Sequence, residues 1–188
     1  MSENLHLSDT QAVFLIGFMG SGKTTWGRKL ANKTGGTFID LDEHISEEIG
    51  QSIPEYFKRH GEESFRALES QTLKSLTFTE LTIVSTGGGT PCFFDNMSWM
   101  NGHGITIYFQ LPPKALWDRL TKSNIASRPA LQGLTGEALL EHITNKLAER
   151  KPYYEKAKHI VNQLTLTMDE LLEIVQQRSG NSYGQALS

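Results

Sequence analysis

The sequence has one cysteine, Cys92, among 188 residues. That excludes an internal disulfide framework and any cysteine-rich metal site. No apolar run approaches the ~20 residues of a membrane span. The first residues, MSENLHLSDTQ, are polar and acidic and lack the basic start and apolar stretch of a secretory signal. Positive charge is not in excess: 18 Lys and Arg stand against 21 Asp and Glu, a net charge of −3. A nonspecific nucleic-acid surface is therefore not expected. The histidines are scattered without metal-ligand spacing, and there is no internal repeat or low-complexity block. A soluble cytoplasmic protein follows as the expectation, with no nucleic-acid or membrane partner.

What is present is an alternation of apolar strands and helical segments. AVFLIG (12–17), GTFIDLD (36–42), LTIVST (81–86), ITIYFQL (105–111) and HIVN (159–162) read as five strands. Helical patterns follow over 23–33, 43–76 (broken at Gly50, Pro54 and Gly61), 113–120, 136–150 (stopped by Pro152) and 168–178. This order predicts an α/β fold with a parallel sheet, whose ligands bind at the carboxyl ends of the strands. One domain over 1–178 is expected, followed by a disordered tail over 179–188.

GFMGSGKT (17–24) matches G-x-x-x-x-G-K-[ST], a P-loop between a strand and a helix. Gly20 and Gly22 permit the tight turn, and the inward N–H groups with the helix N-terminus form a nest for phosphate oxygens. Lys23 would reach the β- and γ-phosphates, and the Thr24 hydroxyl would ligate Mg²⁺. The predicted ATP-binding set is Gly20, Ser21, Gly22, Lys23, Thr24 and Thr25. A P-loop alone does not name a reaction.

Asp40 and Asp42 stand two apart in FIDLD, which on a strand end would turn both to one face. One can support Mg²⁺, and the other can orient or deprotonate an acceptor hydroxyl. The competing structural expectation is Asp42 as N-cap of a helix from Glu43. Arg66, Arg128 and Arg150 stand out by context, and Glu69 lies three residues beyond Arg66 on the same helical face, where it would either orient Arg66 or simply pair with it on the surface. Gly87, Gly88 and Gly89 follow a strand, where closely approaching backbone suits a ligand. Cys92 and the three tryptophans are read as packing residues.

GFMGSGKTT, DLD, GEESFR, GGG, SRPAL and ERKPYY occur in the order and approximate spacing of the shikimate kinases, which this chain resembles over about 11–175. The resemblance implies a three-layer P-loop kinase sandwich, with a central five-stranded parallel sheet, helices on both faces and a mobile lid over about 121–135. It implies transfer of the ATP γ-phosphoryl group to the 3-hydroxyl of shikimate, in aromatic amino-acid biosynthesis, by a monomer using Mg²⁺. Lys23 and Thr24 would serve phosphates and metal, with Asp40 supporting Mg²⁺. Asp42 would bind acceptor hydroxyls and act as base. Arg66 and Arg150 would clamp the carboxylate, and Gly87, Gly88 and Gly89 would approach the substrate. Phe57, Phe65 and Glu69 would line or brace a pocket in the helical segment over 43–76. Arg128 would arrive with the lid at the nucleotide phosphates. Arginine suits a carboxylate because it can donate two parallel hydrogen bonds.

The chain departs from the family pattern in two places. The lid has only Lys122 and the preceding Arg119 as further cations, and VNQLTLTMDE has no arginine on the adenine side. Ser85 or Thr86 stands where other P-loop proteins carry an acidic residue. The alternatives are a gluconate-type kinase and a noncatalytic P-loop switch.

Overall fold

The computed structural model describes residues 12–122, 131 and 133–176. Arg128, most of the predicted lid and the predicted tail lie outside these residues. Five strands form one sheet: β1 (Ala12–Ile16), β2 (Thr37–Asp40), β3 (Thr82–Ser85), β4 (Ile105–Gln110) and β5 (His159–Asn162). Their order is β2-β3-β1-β4-β5, and every pairing is parallel. Seven α-helices appear among the described residues: α1 (Lys23–Thr34), α2 (Leu41–Ile49), α3 (Ile53–Ser75), α4 (Asn96–His103), α5 (Pro113–Thr121), α6 (Gly136–Tyr154) and α7 (Met168–Gln176).

β1 occupies the centre, and all five of its residues are buried. Alternation along a strand sends neighbours to opposite faces. Phe14 and Ile16 join a core with Leu41, Phe65, Met100 and Leu116, from α2 to α5. Val13 and Leu15 join a second core with Leu30 of α1 and Leu171 of α7. The result is the predicted three-layer α/β architecture. Burial of β1 on both faces explains its continuous apolar run.

Three local expectations need correction. β2 ends at Asp40, and Asp42 lies in the first turn of α2. The two aspartates therefore do not share a strand face, and the cap of α2 is Asp40, which accepts from the Asp42 and Glu43 N–H groups at 3.2 and 3.5 Å. Pro152 does not stop α6, which continues to Tyr154. A proline so near the end removes one late hydrogen bond, and the Glu155 N–H still closes onto the Lys151 carbonyl at 2.9 Å. Between the glycines and β4, the sequence pattern predicts no helix. The chain there forms a short 3-10 turn (Thr90–Cys92) and then α4.

α3 opens with a reciprocal capping box between Ser52 and Glu55, with Pro54 in its first turn. It bends at Gly61, whose φ of 78° and ψ of 174° are non-helical. Phe57 lies before the bend and Phe65 after it, and their rings meet at 4.6 Å between centroids.

Candidate active site

The P-loop joins β1 to α1. Gly20 and Gly22 adopt φ of 81° and 91°, conformations that favour glycine. No side chain caps α1, so its first N–H groups remain for an anion. Lys23 is buried, and its ammonium donates to the Gly17 and Phe18 carbonyls at 2.8 and 3.1 Å. The Ser21 hydroxyl is buried without a hydrogen-bond partner. Thr25, one residue into α1 beyond Thr24, is exposed.

Beside the loop, Thr24 donates its hydroxyl to Asp40 Oδ2 at 2.7 Å and lies 3.3 Å from Ser85 Oγ. Three strand and helix ends thus bring hard oxygen atoms together. This donor set fits Mg²⁺, which takes few protein ligands and completes its shell from phosphates and water. Among the described residues no cluster of three His, Cys, Asp or Glu side chains could hold a metal alone.

Next to the P-loop lies a cleft of about 630 Å³, and all nine residues predicted to bind the acceptor line it. α2 supplies Asp42; α3 supplies Phe57, Phe65, Arg66 and Glu69; α6 supplies Arg150. The glycines that follow β3 form its floor, and each makes room for a particular neighbour. A Cβ at Gly87 would lie 2.9 Å from both Asp42 Oδ1 and Glu69 Oε1. At Gly88 it would lie 3.1 Å from the Met19 nitrogen and 3.4 Å from Arg150 Nη1. At Gly89 it would meet both terminal nitrogens of Arg66 at 2.8 Å.

Asp42 is open to solvent through the cleft mouth, yet protein crowds its carboxyl group. That burial, then the charges of Glu69 and Asp40, push its pKa up to about 6, while Lys23 and Arg66 pull the other way. Such a group is poised to exchange a proton near neutral pH. Arg66 donates from Nη1 to Glu69 at 3.0 Å, and from Nε and Nη2 to Glu62 at 3.3 and 3.2 Å. Arg150 lies over the Phe18 ring at 5.4 Å, and its Nη1 is buried without a partner. A buried guanidinium nitrogen in that state favours an incoming anion.

Sequence reasoning missed several supporting residues. Met19 and Ile53 line the cleft. Tyr154 donates to the Gly88 carbonyl at 2.5 Å. Thr90 donates to the buried Glu69 at 2.6 Å, and its own carbonyl accepts from Asn96 at 2.9 Å. The one available signal was Thr90, a hydroxyl directly after the three glycines. Cys92 is half-buried, and burial pushes its thiol up to about 11. It stays protonated at neutral pH, in keeping with its reading as a packing residue.

The model of the shikimate kinase family matches residues 19–178. A shikimate kinase of Bacteroides fragilis is 44% identical over 148 residues, 79% of this chain and 82% of the relative. A crystal structure of shikimate kinase from Bacteroides thetaiotaomicron superposes with a TM-score of 0.79 at 38% identity, covering 89% of this chain and 96% of the other. Shikimate kinase from Acinetobacter baumannii, solved in complex with shikimate, gives a TM-score of 0.79 at 31% identity, covering 93% and 96%.

Proposed function

The chain belongs to the shikimate kinase family, and we propose that its cleft holds shikimate by the carboxylate while the P-loop presents the ATP γ-phosphate to the 3-hydroxyl. The chain is an ATP-dependent phosphotransferase acting on shikimate and yielding shikimate 3-phosphate and ADP. The observation that carries the assignment of groups is the meeting of two guanidinium groups, Arg66 and Arg150, with the carboxyl of Asp42 in one cleft beside a P-loop. A small polyol bearing one carboxylate needs this combination: a bidentate cation at one end and a hydrogen-bond acceptor at the reacting hydroxyl.

Arg66 and Arg150 take the carboxylate. Asp42 accepts the hydrogen bond of the 3-hydroxyl, orients its oxygen and receives the proton as the phosphoryl group transfers. Gly88, with the Arg150 guanidinium and Met19 nitrogen close by, lets the ring approach the backbone. Phe57 and Phe65 wall the apolar side. Gly20, Ser21, Gly22, Thr24 and Thr25 surround the phosphates through the loop and helix N-terminus. Lys23 leaves the Gly17 and Phe18 carbonyls for the β- and γ-phosphate oxygens. Thr24 and Asp40 hold Mg²⁺, with Ser85 beside them, and the ion when bound supplies positive charge against the developing phosphate charge. Arg128 acts with the lid at those same oxygens, in the role that contributes ~10³–10⁵ in rate in other phosphoryl-transfer enzymes. The protein acts as a cytoplasmic monomer, in one kinase domain. Among the described residues no helix is long and apolar enough to cross a membrane.

ADP release by the purified protein with ATP and Mg²⁺ tests this reading, using shikimate, gluconate or no acceptor. Release that depends on shikimate, with formation of the phosphorylated acid, is expected. Gluconate stimulating as well as shikimate, or neither stimulating, would overturn it. For the separate roles, Arg128→Ala should impair ATP use and turnover while shikimate binding to the nucleotide-free enzyme persists.

A further inference from the structure

Arg66 carries five N–H donors. Three are committed to Glu62 and Glu69, which leaves two for an acceptor. Glu62 is mostly exposed, whereas Glu69 is almost fully buried. The guanidinium is thus drawn toward solvent on one side and into the protein on the other. The nearest aromatic face is not one of the two phenylalanines singled out in the sequence. Phe93 lies 4.4 Å from Arg66 Cζ, against 5.3 Å for Phe65 and 5.9 Å for Phe57. Phe93 does not line the 630 Å³ cleft. It lines an adjoining hollow of about 700 Å³, and Arg66 borders both.

The turn that carries Phe93 is unusually constrained. The carboxylate of Glu69 accepts from Arg66 through Oε2 and from Thr90 through Oε1. Thr90 is tied through its carbonyl to Asn96, whose Oδ1 accepts from Ser70 of α3 at 2.6 Å. The Asn96 N–H donates to the Phe93 carbonyl at 3.3 Å. The next residue, Phe94, is 65% exposed and adopts φ of 50°, the one positive φ outside glycine among the described residues. A bulky residue persists in that conformation only where its surroundings over-determine it. The exposed Phe94 ring has little to gain there. The strained turn instead reverses the chain directly after Phe93 and leaves its ring on the guanidinium.

We propose that Phe93 is a positioning residue for the carboxylate clamp, its ring holding the Arg66 guanidinium against Gly89 so that the two uncommitted N–H groups stay available to the acceptor. A ring face attracts a guanidinium without consuming any of its donors. Phe93 thus counters the pull of Glu62 and leaves the donors for the substrate. This inference rests on the reading of Arg66 as a carboxylate ligand.

The experiment is steady-state kinetics on the full-length protein with shikimate and with its neutral carboxamide. Phe93→Leu should raise KM for shikimate about tenfold, change kcat less than twofold and leave KM for ATP unaltered. Phe93→Trp should restore the shikimate KM. The neutral carboxamide, which offers one uncharged acceptor oxygen in place of two charged ones, should lose less to Phe93→Leu than shikimate does. If Phe93→Leu does not fold, site-specific fluorination of Phe93 replaces it. Stepwise fluorine substitution weakens the ring's negative face at nearly constant shape, so KM for shikimate should rise with each step. A flat KM across the fluorinated series, or equal losses with shikimate and carboxamide, overturns the proposal. Arg66→Ala separates it from its premise. An unchanged shikimate KM in Arg66→Ala sinks the clamp itself, whereas a raised KM there with none in the Phe93 variants sinks only the role of Phe93.

Discussion

Arg66 lies across Gly89 so closely that a β-carbon on the glycine would sit 2.8 Å from both terminal nitrogens of the guanidinium. Gly89 itself has φ of −93° and ψ of −21°, which alanine adopts without strain. Gly89→Ala is therefore a steric probe of Arg66 rather than of the backbone. The expected outcome is a rise of about ten- to a hundredfold in KM for shikimate, corresponding to ~1.4–2.8 kcal/mol of lost binding. KM for ATP should be unchanged, and the melting temperature should shift by no more than a few degrees. Kinetics alongside thermal unfolding check this, and an unaltered shikimate KM would show that Arg66 does not hold the acceptor.

The raised pKa of Asp42 links activity to pH and to stability. The folded protein takes up this proton near pH 6, and the unfolded chain near 3.8. Between those values the native state binds more protons, so the contribution of Asp42 to stability falls as pH rises. At pH 7 and above the ionised carboxylate is fully destabilising. Asp42→Asn should therefore lose about 10²–10⁴ in kcat while becoming more stable at pH 7–8. The gain should be on the order of 1 kcal/mol, less than the full shift implies, because water in the open cleft screens the charge. It should shrink as pH falls from about 6 and vanish below about pH 3, where Asp42 is neutral in both states. Wild-type kcat/KM should fall as pH drops through about 6. Denaturant unfolding at several pH values, with a pH–rate profile, measures both effects. Near-wild-type turnover by Asp42→Asn would sink its role as acceptor base.

Much of this site was legible because its signals are local. The P-loop needs only a strand, glycines and a helix start, and the unbroken apolar run of β1 announces a central strand. The three-residue spacing of Arg66 and Glu69 predicted their pairing, found at 3.0 Å. Where the reading failed, a contact distant in sequence or a cap decided the outcome. Alternation in FIDLD suits a strand through Asp42 equally well, until the Asp40 carboxylate captures two N–H groups and turns the chain into α2. Pro152 looked like a terminator because an interior proline usually breaks a helix, whereas within the last turn it costs little. α4 has no clean apolar stripe to reveal it. Phe93 gains meaning only once the turn after β3 packs on α3. The Tyr154 contact with Gly88 spans 66 positions, beyond the reach of any periodicity.

Asp40 has two separable jobs. It caps α2 through Oδ1, and it receives the Thr24 hydroxyl through Oδ2. Asparagine caps a helix about as well as aspartate, whereas alanine forfeits about 1 kcal/mol. Asp40→Asn should thus keep the wild-type stability, and Asp40→Ala should lose that amount. Both should raise the Mg²⁺ concentration needed for half-maximal activity, since both remove the negative charge beside Thr24. Titration of Mg²⁺ at fixed ATP, with unfolding measured in parallel, distinguishes the two jobs. If only Asp40→Ala needs more Mg²⁺, the effect belongs to the cap and not to metal support.

Gly61 gives the cleft its shape from a position in α3 where an added β-carbon would meet nothing within 4 Å. Space is not its constraint; conformation is. Its φ of 78° and ψ of 174° lie in a region that essentially only glycine occupies. The bend lets α3 bring Phe57 back onto Phe65 while the following turn carries Arg66. Gly61→Ala must either hold that conformation at a cost of about 1–3 kcal/mol or straighten the helix. Straightening moves Phe57 away from Phe65 and opens the apolar wall of the acceptor cleft. The expected result is lower stability together with a severalfold higher KM for shikimate and an unchanged KM for ATP. Gly50 provides the control. It also has a positive φ, 64°, and no neighbour within 4 Å, but it ends α2 without itself lining the cleft. Gly50→Ala should lose stability by about 1 kcal/mol without altering either KM. Equal kinetic effects at both glycines would mean that backbone strain alone, rather than the bend in α3, accounts for the loss.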